Sequence, residues 1–283
     1  MAWLKWVAAG LLCLGLIWAA LAALGAWHWP RRIDGLHRRL AGAEQAPPHT
    51  AFDPAQLDGL PAPVARYLRK ALTPGQPLIR GVEMAHEGRF NMGQGEAGWK
   101  PFTSRQRVTT ARPGFVWDGR IAMAPALPVR VIDAYVAGDG LLLPAILGLV
   151  PLTRIEGTAA IAEGELQRWL AESPWYPTVL LPGGVVTWSA LDDRHALARA
   201  TDGGTVVELT FTFGPDDMVS AIRAEARGRT VGGAILPTPW EGRWWAYARR
   251  DGMMVPTEGE VSWVLPEGPQ PYWQGRITEL HFR

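Results

Sequence analysis

Cysteine is almost absent: Cys13 is the only one in 283 residues. That excludes a disulfide framework, a thiolate zinc site and an iron–sulfur cluster. The six histidines (His28, His37, His49, His86, His195 and His281) show no His-x-x-x-His or His-x-His spacing, so no metal or other cofactor is expected. Gly-x-Ser-x-Gly does not occur, which removes the usual serine-nucleophile elbow. Net charge is also lacking. Five of the 28 basic residues and two of the 27 acidic ones precede residue 46, leaving 23 basic against 25 acidic in the body. A body so balanced offers no electrostatic footprint for nucleic acid. With 48% hydrophobic and 19% charged residues, disorder is excluded as well.

What the chain does have begins with an apolar run. Trp6 to Trp29 holds no Asp, Glu, Lys or Arg, and is flanked by Lys5 and Arg31-Arg32. As a helix it would measure about 36 Å, against a hydrocarbon core of about 30 Å. Trp3, Trp6, Trp27 and Trp29 stand at its ends, as interfacial indoles do. Length favours a retained single-pass anchor over residues 1–30, placing the protein at the cell (inner) membrane with lipid as a partner. The rival is a signal peptide cleaved at Ala23-Leu24-Gly25. Counting basic flanks puts the body in the cytoplasm, whereas a short lysine-bearing tail before an apolar run also begins exported anchors, so the side stays open. Residues 31–54 read as a basic juxtamembrane helix and linker. Ile33, Leu36 and Leu40 fall at helical spacing among Arg31, Arg32, Arg38 and Arg39, fitting either a helix on anionic headgroups or a solvated stalk. Ala46-Pro47-Pro48-His49 ends it.

Residues 55–283 form the β-rich domain. Leu60, Val64, Leu68 and Leu72 mark a helix near 61–72. Beyond residue 78 the period becomes two. Val207, Leu209, Phe211 and Phe213 alternate with polar residues, Gly214 to Asp217 turns, and Ile222, Ala224 and Ala226 alternate in the next run. Residues 79–91, 99–110, 114–122 and 128–137 read as further strands. The count is ten to twelve, and the class is α+β: a large curved antiparallel sheet or unclosed barrel. One interruption, 141–176, reads as a helical insertion. Leu141 to Leu152 is apolar and broken by prolines, and Glu163 to Glu172 places Leu166, Trp169 and Leu170 on one helical face.

Candidate chemistry is sparse. Glu165 and Glu172 stand two turns apart, and paired carboxylates can hydrolyse glycosides; first-turn acids are also ordinary dipole partners. Asp193 and His195 could share a proton, but Asp192-Asp193 between strands is ordinary turn chemistry. Gly93, Gly95 and Gly98 have dinucleotide-loop spacing but open no helix, so a hairpin tip is the better reading. Tryptophan is the unusual residue: 15 in all, ten in the body. Most must fill the core. Any remainder would line a hydrophobic cleft, stack on sugars or insert at a membrane.

Leu60-Pro61-Ala62-Pro63-Val64, Arg66-Tyr67-Leu68, Gly114-Phe115-Val116-Trp117, Gly164-Glu165-Leu166, Arg168-Trp169-Leu170-Ala171-Glu172 and Trp175-Tyr176-Pro177 resemble a bacterial family of unknown function whose members carry an N-terminal hydrophobic segment. Separately, Arg112 to Trp117, Val129 to Val136 before Asp139-Gly140, and Trp245 to Arg249 before Asp251-Gly252 and Pro256 are similar to strand motifs of LolA-like lipoprotein carriers. That resemblance implies an unclosed β-barrel over helices, whose concave apolar face takes acyl chains. The expectation is therefore a membrane-anchored binding protein for a hydrophobic ligand, with Leu141, Leu143, Ile146, Leu147, Trp169, Trp175, Tyr176 and Trp240 at the site. The alternatives are an envelope hydrolase and a sugar-binding or interaction scaffold.

Overall fold

A single helix, α1 (Ala2–Ala43), opens the chain in the computed structural model, which describes residues 2–93, 98–124, 126–232 and 234–283. It is long and apolar enough to cross a membrane. The stretch from Trp3 to Leu24 has almost all its side chains exposed. From Gly25 onward α1 lies on the outer face of a sheet. A Cβ on Gly25 would overlap the Leu147 carbonyl, so only glycine permits this approach. Trp29, Ile33 and Leu40 bury against Val116, Ile132, Ala134 and Leu143. This corrects the reading of 31–43 as a surface-lying helix or free stalk, and of Trp29 as an interfacial indole. Trp29 is fully buried, and its Nε1 donates to Asp118 Oδ1 at 2.7 Å. Burial raises the Asp118 pKa, and the Trp29 N–H offsets part of that rise.

Next comes α2 (Ala62–Ala71), begun by Pro61 and Pro63 and burying Val64, Tyr67 and Leu68. The strands are β1 (Gly81–Asn91), β2 (Trp99–Thr109), β3 (Gly114–Ala124), β4 (Leu127–Val136), β5 (Asp139–Ile146), β6 (Val150–Pro151) and β7 (Ile155–Glu156), then β8 (Val186–Ala190), β9 (His195–Asp202), β10 (Thr205–Phe213), β11 (Val219–Val231), β12 (Ala234–Arg250), β13 (Met253–Leu265) and β14 (Gly268–Phe282). Between β7 and β8 lies α3 (Ala159–Ala171), followed by two short 3-10 turns. The sheet is antiparallel throughout, in the order β6-β5-β4-β3-β2-β1-β14-β13-β12-β11-β10-β9-β8, with β7 beside β5. Its two ends do not pair, so the barrel is unclosed, and α3 spans the gap by packing on β5 and β10.

The insertion differs from expectation in its first half. Leu141 to Leu152 forms β5 and β6, not helix. The continuous apolar run has a physical cause: β5 is covered on both faces. Leu141 and Leu143 pack outward with α1, while Leu142 and Ile146 face the main core. The second half is helical, and Leu166, Trp169 and Leu170 are all fully buried. The alternating runs behave as read: Val207, Leu209, Phe211 and Phe213 are buried. A bulge between Ala224 and Arg227 ends the alternation on β11, leaving Ala226 exposed. Residues 94–97 of the glycine-spaced segment lie outside the described residues. The strands flanking it pair as a hairpin, Asn91 opposite Trp99.

Trp29→Ala should cost about 3–5 kcal/mol, as large buried aromatics do on truncation. Trp29→Phe should cost less and push the Asp118 pKa further up. Thermal unfolding and proteolysis between residues 25 and 45 read both effects; a Trp29→Ala protein that melts like wild type would detach α1 from the fold.

Candidate functional site

The concave side of the sheet is filled from one end only. There α2 is held to the turns by Arg66, which donates to Asp217 Oδ1 at 2.8 Å, and by Lys70, which donates to the Asp216 carbonyl at 2.6 Å. Above α3 a cavity of about 420 Å³ remains, in the range of ligand sites. Six of the ten body tryptophans line it: Trp117, Trp175, Trp240, Trp244, Trp263 and Trp273. Trp175 meets Trp244 edge-on at 4.7 Å, and Trp263 stacks on Tyr272 at 5.8 Å. Trp240 Nε1 donates to the Tyr272 hydroxyl at 2.8 Å, and Trp175 Nε1 to the Pro256 carbonyl at 3.1 Å. Such bonds lock the rings as rigid walls. Trp244 Nε1 is buried without a partner.

One side of the cavity is α3, and its polar residues make a compact charged cluster. Arg168 donates to Asp133 Oδ2 at 2.5 Å and to Glu172 Oε1 at 2.7 Å. Gln106 Nε2 donates to Glu172 Oε2 at 2.6 Å. Arg227 reaches from β11 to the Gly164 carbonyl. Glu165 is buried, and its pKa stands well above the carboxylate range. Burial is the main cause, then the neighbouring Asp133 carboxylate, with Arg227 and Arg168 pulling the other way. Asp133 Oδ1 and Glu165 Oε2 have no other partner. A proton kept on Glu165 and donated to Asp133 satisfies both. His86 lies against Trp175, ring centroids 4.9 Å apart, with Nδ1 3.2 Å from Ser104 Oγ. Burial, then the Arg168 charge, lowers its pKa to about 3, so the imidazole is neutral. Among the described residues no group of three or more His, Cys, Asp or Glu is placed to hold a metal.

Of the eight residues expected at a binding site, Trp175 and Trp240 line the cavity. Leu141 and Leu143 belong to the α1 interface, and Leu147 sits in the β5–β6 turn with φ 54°. Ile146 packs on the main core. Trp169 on α3 and Tyr176 just after it are fully buried, Trp169 Nε1 donating to the Thr109 carbonyl at 3.0 Å and the Tyr176 hydroxyl to the Trp169 carbonyl at 2.6 Å. Of the acid/base candidates, Glu165 and Glu172 reach the cavity. Asp193 and His195 do not: the β8–β9 turn is exposed, and Asp192 Oδ1 accepts from the Arg194 and His195 amides and lies 2.8 Å from His195 Nδ1.

The wall has a signature in the sequence. Trp117, Trp240 and Trp273 are each followed two residues later by glycine. Residues two apart share a strand face, so each ring lies over its own glycine: a Cβ on Gly119 or Gly275 would overlap the Trp117 or Trp273 ring, and one on Gly242 would sit 3.6 Å from Trp240. No other body tryptophan has this pattern.

A model of a family of unknown function (DUF6920) matches residues 58–282. No curated protein matches the sequence. Among solved structures, the chain is similar to a putative outer membrane lipoprotein-sorting protein domain from Vibrio parahaemolyticus (8% identity, 72% of this chain and 85% of that one, TM-score 0.39). It is similar also to a LolA superfamily protein from Nitrosomonas europaea (11% identity, 72% and 86%, TM-score 0.40). A third is a β-barrel-like protein of another domain of unknown function from Brucella abortus (9% identity, 73% and 99%, TM-score 0.25).

Because Glu165 holds its proton in the fold but loses it near its ordinary value of 4.5 when unfolded, the folded state binds more protons above that pH. Stability should therefore fall as pH rises above the ordinary carboxylate value. Glu165→Gln should flatten that slope in pH-dependent melts. Arg168→Met should cost about 3–5 kcal/mol by stranding buried carboxylates; unchanged slopes in Glu165→Gln would place the proton elsewhere.

Proposed function

The chain belongs to the DUF6920 family of unknown function, and we propose, from the chemistry of its own cavity, that it binds a hydrophobic ligand such as a lipid or lipoprotein acyl chain beside a membrane. The carrying observation is the cavity of about 420 Å³ walled by six tryptophans. A preformed apolar cleft of that kind gains about 0.8 kcal/mol for each methylene it removes from water, and its hydrogen-bonded rings need little further ordering. Retention of α1 as a single-pass anchor brings the cleft to its ligand. Supporting this, α1 runs unbroken through Ala23-Leu24-Gly25, and Gly25 is pressed on the Leu147 carbonyl, so the apolar run continues as one helix into the part that packs on the barrel.

The hydrolase reading is less well supported. A protonated Glu165 beside a cleft resembles a general acid, but acid catalysis by a carboxyl pair needs a second carboxylate free to act on substrate or water. Glu172 is tied to Arg168 and Gln106, and Asp133 to Arg168.

Gly164 lines the cavity, and a Cβ there meets nothing within 4 Å. Gly164→Phe should fill the cleft while recovering part of the helix-interior glycine penalty, which is about 0.5–1 kcal/mol relative to alanine. Binding of a fluorescent fatty-acid probe by the full-length protein should weaken roughly ten-fold while the melting temperature holds or rises. Native mass spectrometry should find co-purified lipid on wild type and little on the variant. An empty wild-type cleft, with probe binding equal in both proteins, would refute the assignment.

A further inference from the structure

Strand register points six hairpin tips the same way; the β9–β10 tip meets Arg112 and Tyr135 through Asp202, and the other five, β1–β2, β3–β4, β5–β6, β11–β12 and β13–β14, form one end of the barrel. At the other end lie the β8–β9 and β10–β11 turns, closed over by α2 through Arg66. The two ends differ in surface chemistry. Met92, Val150, Val231, Ile235 and Leu236 are exposed at or beside the hairpin tips, Val150 by 60% and Ile235 by 50%. Away from those tips the barrel's exposed large apolar side chains among the described residues are scattered singly: Leu191 in the β8–β9 turn, Trp245 on β12 and Val206 on β10.

Helix α1 fixes which end meets lipid. Leu40 packs near Gly114, at the α2 end of β3, whereas Gly25 touches the Leu147 carbonyl at the β5–β6 tip. The exposed apolar segment from Trp3 to Leu24 therefore projects past the hairpin tips. Around its exit are Arg31 and Arg32 on α1 and, on the outer face of the sheet, Arg120 directly opposite Arg130. Like charges directly opposed across strands repel, and anionic headgroups offset that repulsion. Arg31 also lies over the Trp27 ring at 3.5 Å, a cation and an indole together at the helix exit. Asp118, the acid nearest Arg130, accepts from Trp29.

We propose that the hairpin-tip end of the barrel, through Met92, Val150, Val231, Ile235 and Leu236, seats on the anionic bilayer that α1 crosses. The cavity wall includes Asn91, Thr230 and Ile235, all within a few residues of those tips, so the mouth opens onto the membrane surface and a chain passes between bilayer and cleft without crossing water. The inference rests on the anchor reading of α1 and is independent of which ligand the cleft takes.

The test uses the full-length protein in vesicles of phosphatidylcholine with phosphatidylglycerol. A polarity-sensitive fluorophore is attached to Ile235→Cys or Val150→Cys in a Cys13→Ser background, with Leu191→Cys as the distal control. In the native sequence, label on Cys13 itself reports insertion of α1. The rim labels should shift to the blue and be quenched about two-fold by spin-labelled lipids, as interfacial side chains are; the Leu191 label should not respond. The rim response should weaken in phosphatidylcholine alone. Quenching at Cys13 with none at the rim would overturn the seating while leaving the anchor intact. No quenching at Cys13 would overturn the anchor and the seating together, and lipid binding by the cleft would still be read separately by the fatty-acid probe.

Discussion

An antiparallel sheet that curls without closing leaves a concave face and two open edges, and the rest of this molecule follows from covering them. Helix α3 does so with a mixed surface. Its apolar residues Leu166, Trp169 and Leu170 are fully buried. Its polar residues Glu165, Arg168 and Glu172 turn to the cavity, where they meet Asp133 and Arg227 from opposite sides of the gap. Arg168 is central. It bridges the helix to β4 through Asp133 and packs over Phe115 and Trp117, its guanidinium carbon 4.9 and 5.3 Å from their centroids. A buried arginine with both its carboxylates satisfied contributes specificity of placement more than net stability. Here it holds α3 at one height across the gap, and that height sets the depth of the cleft.

The same constraint explains why tryptophan is so abundant. A wide sheet bridged by one helix encloses more space than leucine-sized side chains fill. Large flat rings laid along the strands cover the inner surface without closing it, and glycines beneath them give the rings room. The hydrogen bonds from Trp240 to Tyr272 and from Trp175 to Pro256 keep the walls apart. The result is an apolar space bordered on one side by paired charges. In the proposed role, a hydrophobic chain is received by the walls, while the ionic cluster bars it from going deeper.

On the outer face α1 plays the complementary part. Because Gly25 and Gly148 admit close backbone approach, with Trp29 lying over Gly148, the helix is clamped to the tips and its direction is tied to that of the barrel. A rigid connection between the apolar helix and the body removes the freedom that a flexible linker would provide. The barrel end then has one orientation toward any bilayer the helix enters.

Much of this architecture could be read from sequence because its signals are local. Period-two burial identified β1 to β4 and the β10–β11 hairpin, the proline-led stripe identified α2, and the apolar run identified the membrane-length part of α1. The failures have one cause: patterns of burial on both faces carry no period. Leu141 to Leu152 reads as part of a helical insertion because α1 covers the side of β5 that water would otherwise reach, and α1 is about a hundred residues away in sequence. For the same reason Trp29 looked interfacial until Asp118 was placed beside it. At the site, the abundance of tryptophan and the carboxylates of α3 were visible in the chain, but which rings face the cavity depends on strand register. That Glu165 keeps its proton depends on Asp133 and on burial, which only the folded sheet brings together.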